Sequence, residues 1–214
     1  TKTVFHSLNL SGTLGEKPAE KEVIEFIGDS ITVGYGSLDN PSGPAARYSD
    51  GTRTYAFITA ENFGMEARVV ARSGGTMGTE YSDYTTNLRA GGSYDYSLKK
   101  PKAVVIALGA NDGAKTIDYY KTNIKKFVDA IRTGYNDVNI PFVFTSYIMS
   151  TGDVLRYNQT QAIKLLQEQD PVAYGNLHYA FCDTNAGGHP NQAQHLKAGN
   201  RLTRELIELG VMSE

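Results

Sequence analysis

Short, strongly apolar segments alternate along this chain with stretches of helical periodicity. Five segments rich in β-branched or aromatic residues are typical of strands buried on both faces of a sheet; they cover residues 23–27, 67–70, 103–108, 142–147 and 179–181. Strands that alternate with helices form parallel sheets with helices on both faces. The sequence therefore predicts an α/β fold, a three-layer αβα sandwich with a central, mostly parallel, five-stranded sheet.

The helices between these strands are predicted from apolar residues at three- and four-residue steps. They cover residues 117–131, 162–166 and 196–209, with another near 55–63. Gly134 is placed to end the first of them, because glycine commonly follows the last turn of a helix.

Length and composition favour one large domain. The chain has 214 residues, of which 40% are hydrophobic and 21% charged, and its net charge of −2 argues against nucleic acid as a partner. No apolar run approaches the roughly 18 residues needed to cross a membrane, and no signal peptide is visible. Residues 1–20 combine a β-like alternation with a turn and a polar connector, so we divide the chain into this leader and a domain over 21–214.

Polar and small residues follow the predicted strands at the edge of the sheet where ligands of such folds bind. The first strand runs into Gly28-Asp29-Ser30, the second ends near Gly74 and the third leads to Asn111. Ser30 either exposes its hydroxyl to the cleft or caps the next helix, and Asn111 either donates its amide to the cleft or forms an Asx-turn. These residues place a hydroxyl and hydrogen-bond donors on three strand ends of one sheet.

A histidine follows the last predicted strand at the same edge. His189 lies in a Gly-Gly-His-Pro loop, and Pro190 fits the first turn of the last helix. His189 is therefore a candidate general base, while we interpret His195 as helical surface or as support behind the site. The lone Cys182 cannot form an internal disulfide, and it has no cysteine or histidine pair at zinc-site spacing.

These residues resemble, in order, the four sequence blocks of the SGNH hydrolases, or GDSL-like esterases. Gly28-Asp29-Ser30 resembles the first block, Gly74 the second, 109–112 the third, and His189-Pro190 the last. Residues 24–36 and 53–56, together with His189 and His195, are similar to carbohydrate esterase family 2. Members of that family remove acetyl groups from sugars, characteristically at the 6-hydroxyl, and carry an N-terminal β-sandwich. Residues 1–20 of this chain resemble the end of that β-sandwich.

The resemblance implies a serine acyl-enzyme mechanism with Ser30 as nucleophile and His189 as base. It further implies an oxyanion hole formed by Ser30, Gly74 and Asn111, no metal or other cofactor, an acetylated carbohydrate as partner, and secretion from the cell. SGNH enzymes usually carry Asp three residues before this histidine, but residue 186 is Ala. The histidine is then oriented either by a backbone carbonyl between 186 and 188 or by Asp183.

Two other functions stay open at this point. Another SGNH activity, such as a lysophospholipase or thioesterase, requires a long apolar acyl groove. A non-catalytic carbohydrate-binding module would use the 14 tyrosines of the chain, whose rings and hydroxyls suit sugars.

Overall fold

A parallel sheet forms the centre of the protein, as the sequence predicts. The computed structural model describes residues 11–13, 15–16, 18–39, 46–80, 94–113, 115–145, 153–182 and 187–213. Within them the strands are β1 (Val23–Gly28), β2 (Glu66–Ala71), β3 (Ala103–Ala107), β4 (Phe142–Phe144) and β5 (Leu177–Tyr179). All neighbouring strands are parallel, and their order across the sheet is β2-β1-β3-β4-β5.

The helices flank this sheet and complete the α/β sandwich. They are α1 (Ser30–Val33), α2 (Tyr55–Asn62), α3 (Met77–Glu80), α4 (Ile117–Tyr135), α5 (Asp153–Gln169), α6 (Pro171–Tyr174) and α7 (Gln192–Glu208). Helices α4 and α5 share one apolar core with one face of the sheet, while α2 and α7 share the other. The predicted three-layer αβα architecture is therefore confirmed.

Several boundaries differ from the sequence-based prediction. The last strand lies two residues earlier than expected, and the described part of β4 ends at Phe144. Gly134 lies inside α4 and does not end it; instead Asn136 adopts the left-handed conformation, with a φ of 50°, that terminates the helix. Asparagine tolerates this conformation because its short side chain hydrogen-bonds locally.

The strand order places a crevice at one edge of the sheet. The chain moves from β1 to β2 on one side and then returns to β3 on the other, so the direction of winding reverses between β1 and β3. In sheets of this kind, ligands bind outside the carboxyl ends of the strands at that reversal. Ser30 follows β1 and Asn111 follows β3, so both lie at this crevice.

No helix in the described ranges has the length and apolar character required to cross a bilayer.

Candidate active site

Ser30 is the first residue of the short helix α1, directly after β1. The helix is capped by Asp29, whose Oδ1 accepts a hydrogen bond from the Ile31 N–H at 2.9 Å. The alternative that Ser30 itself caps the helix is therefore wrong, and its side chain is left for another contact. An aspartate directly before the serine is a recognisable cap signal that could have decided this point from the sequence.

The close fit of α1 against β1 depends on Gly28. A Cβ added to this residue would fall 1.9 Å from Thr32 Oγ1, which is far inside van der Waals contact. Glycine therefore allows the turn of α1 to lie directly on the end of the strand, with Ser30 only partly buried at the crevice.

His189 contacts the serine across the crevice. Its Nε2 lies 2.8 Å from Ser30 Oγ, which is hydrogen-bonding distance. Burial lowers the pKa of His189, so the imidazole is neutral at pH 7 and one ring nitrogen can accept a proton. Tyr35 packs against the same ring, with centroids 5.0 Å apart at 61°.

The loop that carries His189 differs in one detail from the expectation. Pro190 does not enter the helix: α7 begins at Gln192, and Asn191 forms a capping box with Gln194. Pro190 is buried ahead of this cap and fixes the path of the loop. Residues 183–186, and with them Asp183 and Ala186, lie outside the described residues.

The loop after β2 brings Gly74 to the same crevice. Gly74 is exposed and has a φ of +76°, a left-handed conformation that glycine adopts at no steric cost. Asp112 holds this loop, because both of its carboxylate oxygens accept the Met77 N–H, at 3.1 and 3.0 Å. Tyr119 donates its hydroxyl to the same carboxylate. The sequence analysis did not assign these roles to Asp112 and Tyr119.

Asn111 lies exposed between the loops that follow β1 and β2. Its Nδ2 donates to Asp29 Oδ2 at 3.1 Å and to the Gly75 carbonyl at 3.0 Å. The side chain therefore ties these two loops together and does more than shape its own turn. Both amide hydrogens have acceptors in this arrangement, so donation to a ligand would require one of these bonds to be shared or exchanged.

Two backbone donors, one in α1 and one in the loop after β2, have no acceptor in the described part of the chain. Within the described residues, neither the Ser30 N–H nor the Gly74 N–H donates to a backbone or side-chain acceptor. Unused backbone N–H groups can stabilise negative charge that develops on a carbonyl oxygen bound within their reach.

His195 and Tyr55 lie behind the reactive pair. His195 is fully buried, so its interpretation as helical surface is wrong. Its Nδ1 accepts the Tyr55 N–H at 3.3 Å, and the two rings stack at 11°. Burial, with a smaller contribution from the charge of His189, lowers the pKa of His195 to about 4.

Comparisons with known proteins identify relatives of this chain. Cellulase/esterase CelE of Acetivibrio thermocellus is 29% identical over 210 residues, 89% of this chain and 26% of that protein. An acetylxylan esterase / glucomannan deacetylase of Cellvibrio japonicus is 24% identical over 208 residues, 82% of this chain and 57% of that protein. The chain thus spans between a quarter and three fifths of the length of these two relatives.

A solved structure of a carbohydrate esterase family 2 enzyme with a carbohydrate-binding domain, from Corynascus thermopiles (Myceliophthora fergusii), superposes with a TM-score of 0.75. It is 28% identical, and the match covers 93% of this chain and 69% of that one. The sequence profile described as GDSL-like Lipase/Acylhydrolase matches residues 24–202, from β1 into α7. The chain therefore belongs to the GDSL-like lipase/acylhydrolase family.

Proposed function

We propose that the protein hydrolyses carboxylic esters through a serine acyl-enzyme. The observation that carries this proposal is the 2.8 Å contact between His189 Nε2 and Ser30 Oγ at the crevice of the sheet. His189 takes the hydroxyl proton while Oγ attacks the ester carbonyl. The resulting tetrahedral intermediate collapses to the acyl-enzyme, and the leaving alcohol receives the proton from His189. A water molecule, deprotonated by His189 in the same way, then attacks the acyl-enzyme and releases the acid. No step uses a metal or a cofactor.

The oxyanion of this mechanism is proposed to bind to three donors. The Ser30 N–H and the Gly74 N–H are unengaged within the described residues. Asn111 supplies the third donor when its amide turns one hydrogen from Gly75 O or Asp29 Oδ2 to the substrate. Loss of one such donor typically costs about 3–4 kcal/mol of transition-state stabilisation.

The orientation of His189 is proposed to come from its own loop. A base that accepts a proton at Nε2 must keep the proton on Nδ1, which then needs an acceptor. A backbone carbonyl between 186 and 188 serves as this acceptor in the proposed dyad, and Asp183 is the alternative. Tyr35 supports the same ring orientation through its edge-on contact.

The proposed substrate is an acetylated plant polysaccharide or oligosaccharide, deacetylated at the 6-hydroxyl. Both curated relatives have esterase activity in their names, and one is named for acetylxylan and glucomannan. Gly74 and Asn111 are exposed, so the described part of the site is open to solvent. An open site suits an acetyl group that is carried on a bulky polymer. The enzyme names of the same relatives support the proposal that the protein is secreted. The proposal that residues 1–20 end a β-sandwich comes from the sequence resemblance alone, because most of that segment lies outside the described residues.

Acyl-chain preference tests this function against the alternatives. The experiment compares p-nitrophenyl acetate, p-nitrophenyl octanoate, acetylated xylan and 6-O-acetylglucose, with Ser30→Ala as the control for contaminating esterase. The proposal expects acetyl esters to be turned over fastest and Ser30→Ala to be inactive. Faster hydrolysis of the octanoyl ester would indicate a lipase-like enzyme, and sugar binding without turnover would indicate a non-catalytic binding module.

A further inference from the structure

Tyr55 contacts two elements that carry the reactive residues. It is the first residue of α2 and is fully buried. Its hydroxyl lies 2.8 Å from Thr32 Oγ1 in α1, and its backbone N–H donates to His195 Nδ1 in α7. Tyr55 therefore contacts α1 through its side-chain hydroxyl and α7 through its backbone N–H.

The first of these contacts fixes the turn that carries the nucleophile. Thr32 lies two residues after Ser30 and is 1% exposed. Its side chain fills the space above Gly28, where a Cβ would collide with it, and its hydroxyl faces Tyr55. Thr32 is thus held between the strand below and the Tyr55 hydroxyl beside it.

The second contact fixes the helix that follows the base. His195 lies in the second turn of α7, six residues after His189. Its ring is held on two sides, by the hydrogen bond at Nδ1 and by the stacked ring of Tyr55. A shift of α7 along α2 would break this hydrogen bond, so the start of α7 is locked to the start of α2.

The packing of α2 on α7 leaves little room for such a shift. Thr59 donates its hydroxyl to the Gly199 carbonyl at 3.2 Å. A Cβ on Gly199 would fall 2.6 Å from Ile58 Cγ2 and 3.1 Å from the Tyr55 carbonyl. Helices in such close contact move together, because interiors packed at this density resist deformation.

We propose that the Tyr55 hydroxyl, acting through Thr32 in α1 while its backbone N–H holds α7 at His195, sets the distance between Ser30 Oγ and His189 Nε2. The inference rests on the proposed function, since that distance matters only if the two groups exchange a proton. Tyr55 is a positioning residue: its hydrogen bonds are with Thr32 and His195, and it acts on the reactive pair through the elements that carry them. Catalysis is sensitive to such positioning, because a displacement of about 1 Å can lower a rate by about 100-fold.

The first test removes only the hydroxyl of Tyr55. Tyr55→Phe keeps the ring and is expected to lower kcat for acetyl esters by about 10- to 100-fold, with KM changed by less than about threefold. Tyr120→Phe is the matched control, because Tyr120 is equally buried and its hydroxyl has no partner within the described residues. That control is expected to keep the kcat of the wild type. A kcat for Tyr55→Phe within about twofold of the wild type would overturn the proposal.

A second variant separates positioning from stability. Either Tyr55→Phe or Thr32→Val alone leaves one buried hydroxyl unpaired, whereas the double variant leaves none and regains part of the lost stability. Positioning requires kcat to stay low in the double variant, because the link between α2 and α1 is still missing. A double variant with wild-type kcat would refute the proposal.

The two proposals can fail separately. Ser30→Ala, assayed on the same ester, reports on the serine mechanism alone. If it retains activity, the proposed function is wrong. If it is inactive and Tyr55→Phe is as active as Tyr120→Phe, the mechanism stands and the positioning role is wrong.

Discussion

Replacing His195 by asparagine is expected to make the free energy of unfolding less dependent on pH. In the fold, Nδ1 accepts the Tyr55 N–H, so the ring proton of neutral His195 is on Nε2, which is buried with no partner within the described residues. Protonation would place a second N–H against the Tyr55 N–H and would bury an unsolvated charge. The folded state therefore resists protonation, which is the physical cause of the lowered pKa.

The size of this effect follows from the difference in the pKa of His195 between the folded and the unfolded chain. The pKa of His195 is about 4 in the fold, against 6.5 for an unperturbed histidine. As the pH falls below 6.5, the unfolded chain binds a proton that the folded chain does not, so stability is lost as the pH falls towards 4. Linkage gives a loss of about 2 kcal/mol between pH 7 and pH 5 from this residue.

The assay is denaturant unfolding of the wild type and His195→Asn at pH 7, 6 and 5. Asparagine retains an acceptor for the Tyr55 N–H and cannot titrate, so the variant should lose about 2 kcal/mol less than the wild type over this range. Any loss of stability that the smaller side chain causes is the same at every pH. It therefore leaves the pH dependence of the free energy of unfolding, the pH slope, unchanged. Carboxylates with lowered pKa values, such as Asp137, also reduce stability at low pH, but they do so equally in both proteins.

His178→Asn is the matched control for this experiment. His178 is half-buried in β5, and burial also lowers its pKa. Its replacement should change the slope in the same direction and by less than the replacement of His195. The reasoning would be refuted if His195→Asn had the same pH slope as the wild type. It would also be refuted if His178→Asn had the larger effect.

Three further predictions concern the reactive residues. Asn111→Ala is expected to lower kcat by roughly 10²–10³ with little change in KM, and steady-state kinetics that show a pure KM effect would make it a substrate-binding residue. The acid limb of the pH profile of kcat/KM is expected to have an apparent pKa below 6.5, because burial lowers the pKa of His189; a limb above that value would contradict this assignment. Asp183→Asn should keep activity within about tenfold of the wild type while His189→Ala loses nearly all of it, and a loss near 10⁴ for Asp183→Asn would establish a triad in place of the dyad.

Much of the fold could be predicted from the sequence, because the spacing of apolar residues shows which positions are buried. The runs at 23–27 and 103–108 became β1 and β3, and the apolar stripe of 117–131 became α4. The ends of the helices and strands were harder to predict. Gly134 was a reasonable end for α4, but Asn136 ends it, because whether a chain turns left-handed at a glycine or at a nearby asparagine depends on the contacts that follow.

The contacts of polar residues in the core could not be read from the sequence. Glu25 lies in the middle of an apolar strand and is fully buried. It accepts hydrogen bonds from Arg68, Tyr94 and Tyr135, which are 43, 69 and 110 residues away. No local pattern links these positions. The link from Tyr55 to His195, 140 residues apart, was hidden for the same reason.

The burial of His195 also has a consequence for the proposed chemistry. In that mechanism His189 becomes an imidazolium at the transition state, and a second positive charge close to it would raise the barrier. His195 is near enough for the charge of His189 to lower its pKa, so protonated His195 would oppose the reaction directly. With a pKa of about 4, His195 is neutral at pH 7. The burial that lowers stability in acid thus keeps this ring from adding positive charge beside the proposed base, while the same ring holds α7 on Tyr55.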